Sequence, residues 1–274
     1  MPPQSMSADE RLMAAYQEAA LRLNRLLAEA RTPSVKKQVL ARINALINEL
    51  DTMTAEYIQQ QIPIQFKEGS SEAIAQLRKV SGFSVDDTFS TLHTEALQAL
   101  ADDATLKFAN ALQSVKNGIK TAIRQSQKQQ ILSELITSEI TGDAAPQKRV
   151  KILLEQSGAV GIQTRSGLRT LEDYSSMLTH TILAEAHNTG AATRYISNGI
   201  QYATVIERTD APDATCQWMR GKVVWLGDRR LLNPYHPRCY GGIKPFIGEP
   251  VDPIRSPDDP RIPSEVRKML LRRL

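Results

Sequence analysis

Apolar residues recur at helical spacing along the first part of the chain. Leu12, Tyr16, Ala19, Leu23 and Leu26 follow one another at intervals of four and three, as do Val39, Ile43, Leu46, Leu50, Met53 and Tyr57. Each series keeps one face of a helix apolar, so two helices with facing seams are expected. Arg31-Thr32-Pro33 separates them. Thr32 is placed to cap the second helix and Pro33 to occupy its first position. The predicted object is a helical hairpin over 5–31 and 33–61. It reads either as a coiled-coil docking arm or as two helices packed on each other and on the rest of the chain.

Further along, Pro63 is expected to end the second helix. A short helix follows at 71–80, then a turn at Ser81-Gly82. Ser84-Val85-Asp86-Asp87 has capping-box spacing and predicts the start of a long helix reaching toward Ile140. Leu112, Val115, Ile119 and Ile123 form its apolar stripe, interrupted by the polar run Arg124–Gln130. Thr141-Gly142-Asp143 reads as a stop and Lys148–Gln156 as a short helix. Gly158, Gly161 and Gly167 suggest a loop. Thr170-Leu171-Glu172-Asp173 predicts a helix that runs to Ser197 and stops at Gly199. The period then changes to two. Tyr202–Arg208, Lys222–Leu226 and Ile243–Ile247 read as strands. Five prolines (250, 253, 257, 260, 263) mark a linker, and Ser264–Leu274 can form a helix with Val266, Met269, Leu270 and Leu274 on one side.

The fold class expected from this pattern is mainly α with a small C-terminal α+β module. Long helices and a helical hairpin precede a short-stranded, Cys/His-containing domain. The expected division is a helical docking region at 1–145, the module at 146–248, and a proline-rich linker with a basic tail helix at 249–274.

Composition narrows the function. The 274 residues contain only two cysteines, which excludes a disulfide-rich secreted scaffold. No apolar run approaches the roughly 18–20 residues that span a bilayer. Met1–Glu10 is polar and does not read as a secretory signal. The net charge of +4 is uneven: residues 1–260 balance, while residues 261–274 hold five basic side chains against Glu265 alone. Arg267, Lys268, Arg272 and Arg273 are therefore candidate tail contacts, either to a groove on another protein or to DNA phosphates. The neutral body argues against a dedicated DNA-binding domain.

The densest chemistry lies in Asp213-Ala214-Thr215-Cys216, Gly221-Lys222 and Asn233-Pro234-Tyr235-His236-Pro237-Arg238-Cys239. Thiolate and imidazole suit tetrahedral zinc. His236-x-x-Cys239 lets two side chains reach one ion from a single turn, with Cys216 closing the loop. A structural site takes four ligands, and three are present. Met219 stands where a Cys-x-x-Cys pair would have its second cysteine, so Asp213, Asp210 or water would complete the shell. A cystine between Cys216 and Cys239, or two plain thiols, are the alternatives. Gly199 and Gly221 are expected in turns, with Pro237 fixing the approach to Cys239.

The same residues carry a resemblance. The order Asp-x-x-Cys, Gly-Lys, His-Pro-x-Cys is similar to the C-terminal domain of phage minor head proteins, the head-morphogenesis family typified by the F protein of phage Mu. Thr181, Glu185, Asn188, Gly190, Tyr195 and Gly199 fit the helix that precedes this segment in that family, and the likeness covers 165–247. The family often has a second cysteine at the position of Met219, and Cys-Arg-Cys where this chain has Cys239-Tyr240-Gly241. The resemblance implies a non-enzymatic, low-copy component of the virion. Such a protein joins the head in the host cytoplasm, docks on portal, scaffold or capsid proteins, and contacts packaged DNA non-specifically during packaging or ejection.

A metal-dependent nuclease, or another effector enzyme carried in the phage head, is the alternative. It needs a base, a metal-bound water and an open coordination position. His180 and His187 are seven apart and do not form an i, i+4 metal pair, and no His-Glu-x-x-His motif is present.

Overall fold

A computed structural model of the chain describes residues 7–29, 33–80, 82–137, 161–164, 167–211 and 213–271. The expectations at Thr32, Thr141–Asp143, Lys148–Gln156 and Gly158, and for Arg272, Arg273 and Leu274, lie outside these residues. The fold is mainly α with a small α+β module, as the pattern of the chain predicts. Among the described residues no helix is long and apolar enough to cross a membrane. The chain divides into two compact units, Met1–Tyr57 with Thr105–Ser176 and Ile58–Ala104 with Met177–Leu274.

The first unit is built on α1 (Ala8–Glu29) and the opening part of α2 (Pro33–Leu77). Ser7 and Glu10 form a reciprocal capping box that starts α1: the Ser7 N–H donates to Glu10 and the Glu10 N–H to the Ser7 hydroxyl. Both heptad series are buried apart from Met53, which is half-buried. The helices run antiparallel within one chain. Tyr57 bonds Asp9, Tyr16 lies 2.8 Å from Thr54, and Arg22 approaches Glu49. The second half of α3 (Thr91–Thr137) packs on this seam through Phe108, Leu112, Val115 and Ile119, with the Phe108 ring 6.4 Å from that of Tyr16. The helix runs without a break through Arg124–Gln130. The glycine-rich stretch is a β-hairpin and not a loop: β1 (Gly161–Thr164) pairs antiparallel with β2 (Gly167–Thr170).

In the second unit two expectations fail. α2 does not end at Pro63. It continues to Leu77 and absorbs the predicted helix at 71–80. An interior proline costs about 3 kcal/mol. Ile62, Phe66, Ala73 and Leu77 on the same helix are fully buried, and at about 1.5–3 kcal/mol per large apolar side chain their burial outweighs that cost. α3 starts at Thr91 and not at the capping-box sequence Ser84–Asp87. Asp86 spends its carboxylate on the Thr88 amide and hydroxyl, while its carbonyl accepts from Arg194 and Asn198. These contacts pin 84–90 outside the helix, and Ser90 precedes the first turn, its amide and hydroxyl meeting the His93 ring.

α4 (Leu171–Ser197) has both expected ends. The Thr170 hydroxyl accepts from the Asp173 N–H, and Gly199 takes φ = 80°. α4 crosses α2 at backbone contact. A Cβ on Gly69 would lie 1.9 Å from the His187 carbonyl oxygen, and one on Gly190 would lie 2.0 Å from that of Phe66. The three strands are β3 (Tyr202–Ile206), β4 (Val223–Trp225) and β5 (Gly242–Phe246), all antiparallel, with β3 in the centre. The proline-rich segment is not a free spacer. Ile254 bridges Val224, and Ile254 and Ile262 enter the core. α6 (Ser264–Leu271) adds Val266 and Leu270 to that core, so the tail helix is packed into the module and cannot be removed as a separate appendage.

Candidate metal site at the exit of the central strand

Three segments deliver the Cys/His group. α5 (Ala214–Met219) carries Cys216. Its start is fixed by Asp213, whose carboxylate accepts from the Thr215 and Cys216 amides at 2.8 and 3.3 Å. The segment after a 3-10 turn at Arg229–Leu231 carries His236 and Cys239. Arg238 between them takes φ = 61°, and the Cys239 N–H donates back to the His236 carbonyl at 3.1 Å. Gly221, at φ = 74°, turns the chain from α5 into β4, as expected.

The three side chains meet. Cys216 Sγ lies 3.0 Å from His236 Nε2 and 3.7 Å from Cys239 Sγ. Among the described residues they form the one group of three such residues whose donor atoms all lie within 4.8 Å of one another. Both cysteines are buried and free; 3.7 Å is far beyond the S–S bond length of about 2.05 Å. The cystine alternative is therefore not the state of this structure. His236 Nδ1 is 2.8 Å from the Pro237 carbonyl, which can only accept, so Nδ1 carries the proton and Nε2 presents its lone pair to the sulfurs. That is the tautomer a metal takes.

Around a tetrahedral ion, bonds of about 2.3 Å to sulfur and about 2.1 Å to nitrogen or oxygen imply edges of about 3.8 Å between sulfurs and about 3.6 Å between sulfur and nitrogen or oxygen. The sulfur pair fits. The Cys216–His236 approach is shorter, a hydrogen bond that an ion would replace. The cluster can thus hold a metal ion through Cys216, His236 and Cys239.

Electrostatics favour a cation here. Hydrogen bonding between the sulfurs draws the Cys239 thiol down to about 5, helped by the amides of Gly241 and Tyr235, while the same bond and burial push Cys216 up. Glu207, at the exit of β3, was missed by sequence reasoning. Its Oε1 lies 3.4 Å from Cys239 Sγ and accepts from Asn233 Nδ2 at 2.9 Å. Burial pushes Glu207 up to about 7, with Cys239 contributing and the Asn233 bond opposing. Two thiols and a carboxyl converging in the interior cannot all ionise without a positive charge among them.

The acids expected to complete the shell are committed elsewhere. Asp213 caps α5, and Asp210 is exposed and paired with Arg208 at 2.6 Å. Met219 is fully buried in the core. His180 stacks edge-on against Tyr240, and His187 sits 3.2 Å from Glu72, so neither joins the cluster. Of the tail residues, Arg267 donates to the carbonyls of Asp259 and Ile262, and Lys268 is exposed.

Other residues missed as determinants are polar and buried. Asn188 on α4 donates to the Asn233 carbonyl and side chain and to the Gly241 carbonyl, each at 3.1 Å, tying the helix to the site. Arg194 is 2 % exposed and donates to Ser70 and to the carbonyls of Asp86 and Thr88. No family model, curated protein or solved structure matches the chain. The functional reading therefore rests on this geometry and on the motif.

Proposed function

We propose that this chain is a minor head protein of a tailed bacteriophage that acts by docking during head morphogenesis, with its C-terminal module clipped by zinc. The observation that carries the reading is the use made of the motif residues. Those that create the likeness to phage minor head proteins lie in one module, and five of them have a structural task. Asn188 ties α4 to the segment holding His236. Gly190 admits the backbone of α2. Tyr195 bonds Gln76 at 2.7 Å, Gly199 ends α4, and Asp213 starts the helix that bears Cys216. The motif works as a folding signature, which is what a rigid docking module requires.

The burial of the cluster favours a clip over a reaction centre. Cys216, the sulfur within reach of a basic nitrogen, is 1 % exposed. A nucleophile must be reached by its substrate, whereas a structural ligand is best shielded. Zinc is preferred because a site of two sulfurs and one imidazole is soft and tetrahedral. Portal, scaffold or capsid proteins are the proposed partners. Packaged DNA is a secondary, salt-sensitive contact through Lys268 and its basic neighbours, in the virion and during assembly in the host cytoplasm.

The test is association with the head. In the phage that encodes the chain, the protein should sediment with procapsids and mature heads at a few copies each. Deleting its gene should give heads that are malformed or fail to deliver DNA. Normal, infectious heads lacking the protein would overturn the reading. Metal content of the purified chain should approach one zinc per molecule; less than about 0.1 would remove the clip.

A further inference from the structure

We infer that Glu207 is the fourth ligand of the metal site, closing the shell of Cys216, His236 and Cys239. The inference rests on the metal-clip part of the reading above, and not on the docking partner. Four observations converge.

The first is position. Glu207 Oε1 lies 3.4 Å from Cys239 Sγ, close to the edge of about 3.6 Å that sulfur and oxygen share around one tetrahedral zinc. The carboxylate stands on the Cys239 side and outside the 4.8 Å within which the other three donors gather, so ligation requires the Glu207 side chain to turn from Cys239 toward Cys216 and His236.

The second is the space made for it. Gly241 is two residues past Cys239, and a Cβ there would lie 2.0 Å from Glu207 Oε1 and 2.1 Å from Asn233 Nδ2. The absence of a side chain at 241 is what lets the carboxylate and the Asn233 amide occupy this corner. Asn188, which donates to both the Gly241 and Asn233 carbonyls, holds the corner in shape.

The third is orientation. Asn233 is buried and its amide donates to Glu207 Oε1, with the carbonyls of Ile206 and Gly242 also within its reach. A buried amide that aims a carboxylate toward a group of soft donors is the outer shell expected of a metal ligand. The fourth is elimination. Asp213 is spent on the α5 amides and Asp210 on Arg208, so neither nearby aspartate is available.

The consequence is functional. A site closed by four protein ligands has no open position for a water nucleophile, so it is a structural clip. It joins the end of β3 to α5 and to the segment before β5.

The experiment uses the full chain, stripped of metal and titrated with zinc against a chromophoric chelator, and separately with cobalt(II) to read coordination by absorption. Wild-type protein should bind one ion and give the intense visible bands of tetrahedral cobalt. Glu207→Gln, which keeps the volume, should lose at least about tenfold in zinc affinity, because changes outside the ligand shell alone cost about that much. Its cobalt bands should shift and weaken as water replaces the carboxylate. Gly241→Ala keeps all four donors but puts a methyl group where the carboxylate lies, and should reproduce both effects. Circular dichroism of each variant checks folding, and a variant that does not fold is replaced by Glu207→Asp, which keeps the charge and shortens the reach. Unchanged affinity and cobalt bands in Glu207→Gln would overturn the inference while leaving a three-residue site. A wild-type chain without metal would overturn it together with the clip. A metal-dependent effect in a chain that fails to join phage heads would uphold it and remove only the docking assignment.

Discussion

The heptad hairpin and the Cys/His module are held together in different ways. In the hairpin, stability is spread over interchangeable contacts: Leu12, Leu23, Ile43 and Leu50 are each buried against neighbours of the same kind. In the module, single polar groups each hold several segments. Arg194 ties α4 to Ser70 on α2 and to the connecting segment at Asp86–Thr88, and Asn188 ties it to Asn233 and Gly241. A core of repeated apolar contacts tolerates substitution of similar volume, whereas a buried donor shared among carbonyls has no substitute. The difference also fits the proposed roles, since a docking arm can vary while a module that presents fixed geometry cannot.

The largest effect should come from Arg194→Met. The aliphatic part is retained, but the Thr88 carbonyl and the Ser70 hydroxyl lose this donor and the Asp86 carbonyl keeps only that of Asn198. A loss of about 3–4 kcal/mol is expected, read by denaturant unfolding and by hydrogen exchange confined to the second unit. A loss below about 1 kcal/mol would break the contrast between the two regions. Gly190→Ala comes next. Its methyl would meet the Phe66 carbonyl oxygen, so α2 and α4 must part. About 2–3 kcal/mol is expected, with Gly69→Ala showing the same from the other side of the crossing.

These two predictions also show what the amino-acid sequence could and could not reveal. The seams, the two ends of α4 and the three strands were legible because each depends on a local signal: a period, a Thr cap, a glycine stop. The continuation of α2 through Pro63 was not, because a local penalty is overruled by burial of Leu77 in a core with residues more than a hundred positions away and of Phe66 beside Phe89 and His93. Ser84-Val85-Asp86-Asp87 reads as a capping box, but the Asp86 carbonyl within it is claimed by Arg194 and Asn198, 108 and 112 residues later. The Cys/His group was legible as a motif. Glu207 was not, because it reaches Cys239 from 32 residues earlier along a strand. Gly241, the small residue beside a ligand, was the one local hint.

A smaller effect tests the hairpin. Leu23 is fully buried in the α1 seam. Leu23→Met conserves volume and should cost less than about 1.5 kcal/mol, clearly less than the cavity-forming control Leu23→Ala. Thermal unfolding of both variants separates the cases. If Leu23→Met is as damaging as Leu23→Ala, the seam is not the tolerant packing surface that its repeated pattern implies.

The smallest effect is a pH dependence expected of the polar region. Asp86 is exposed, and hydrogen bonds from the Thr88 amide and hydroxyl hold its carboxyl below the usual carboxylate range. A folded-state pKa below the unfolded value means that the unfolded chain binds the proton more readily. The contribution of Asp86 is therefore complete above the unfolded carboxylate pKa and is lost as pH falls through the lower, folded value. Asp86→Asn should be slightly less stable than wild type near neutrality, and the gap should close in acid. Urea unfolding at about pH 7 and about pH 3 measures it. A gap that stays constant with pH would mean that Asp86 acts through the shape of its turn alone. The segment would then be held by the donors of Arg194 and Asn198, which would make the module depend on its buried cation even more than the Asp86 carboxylate.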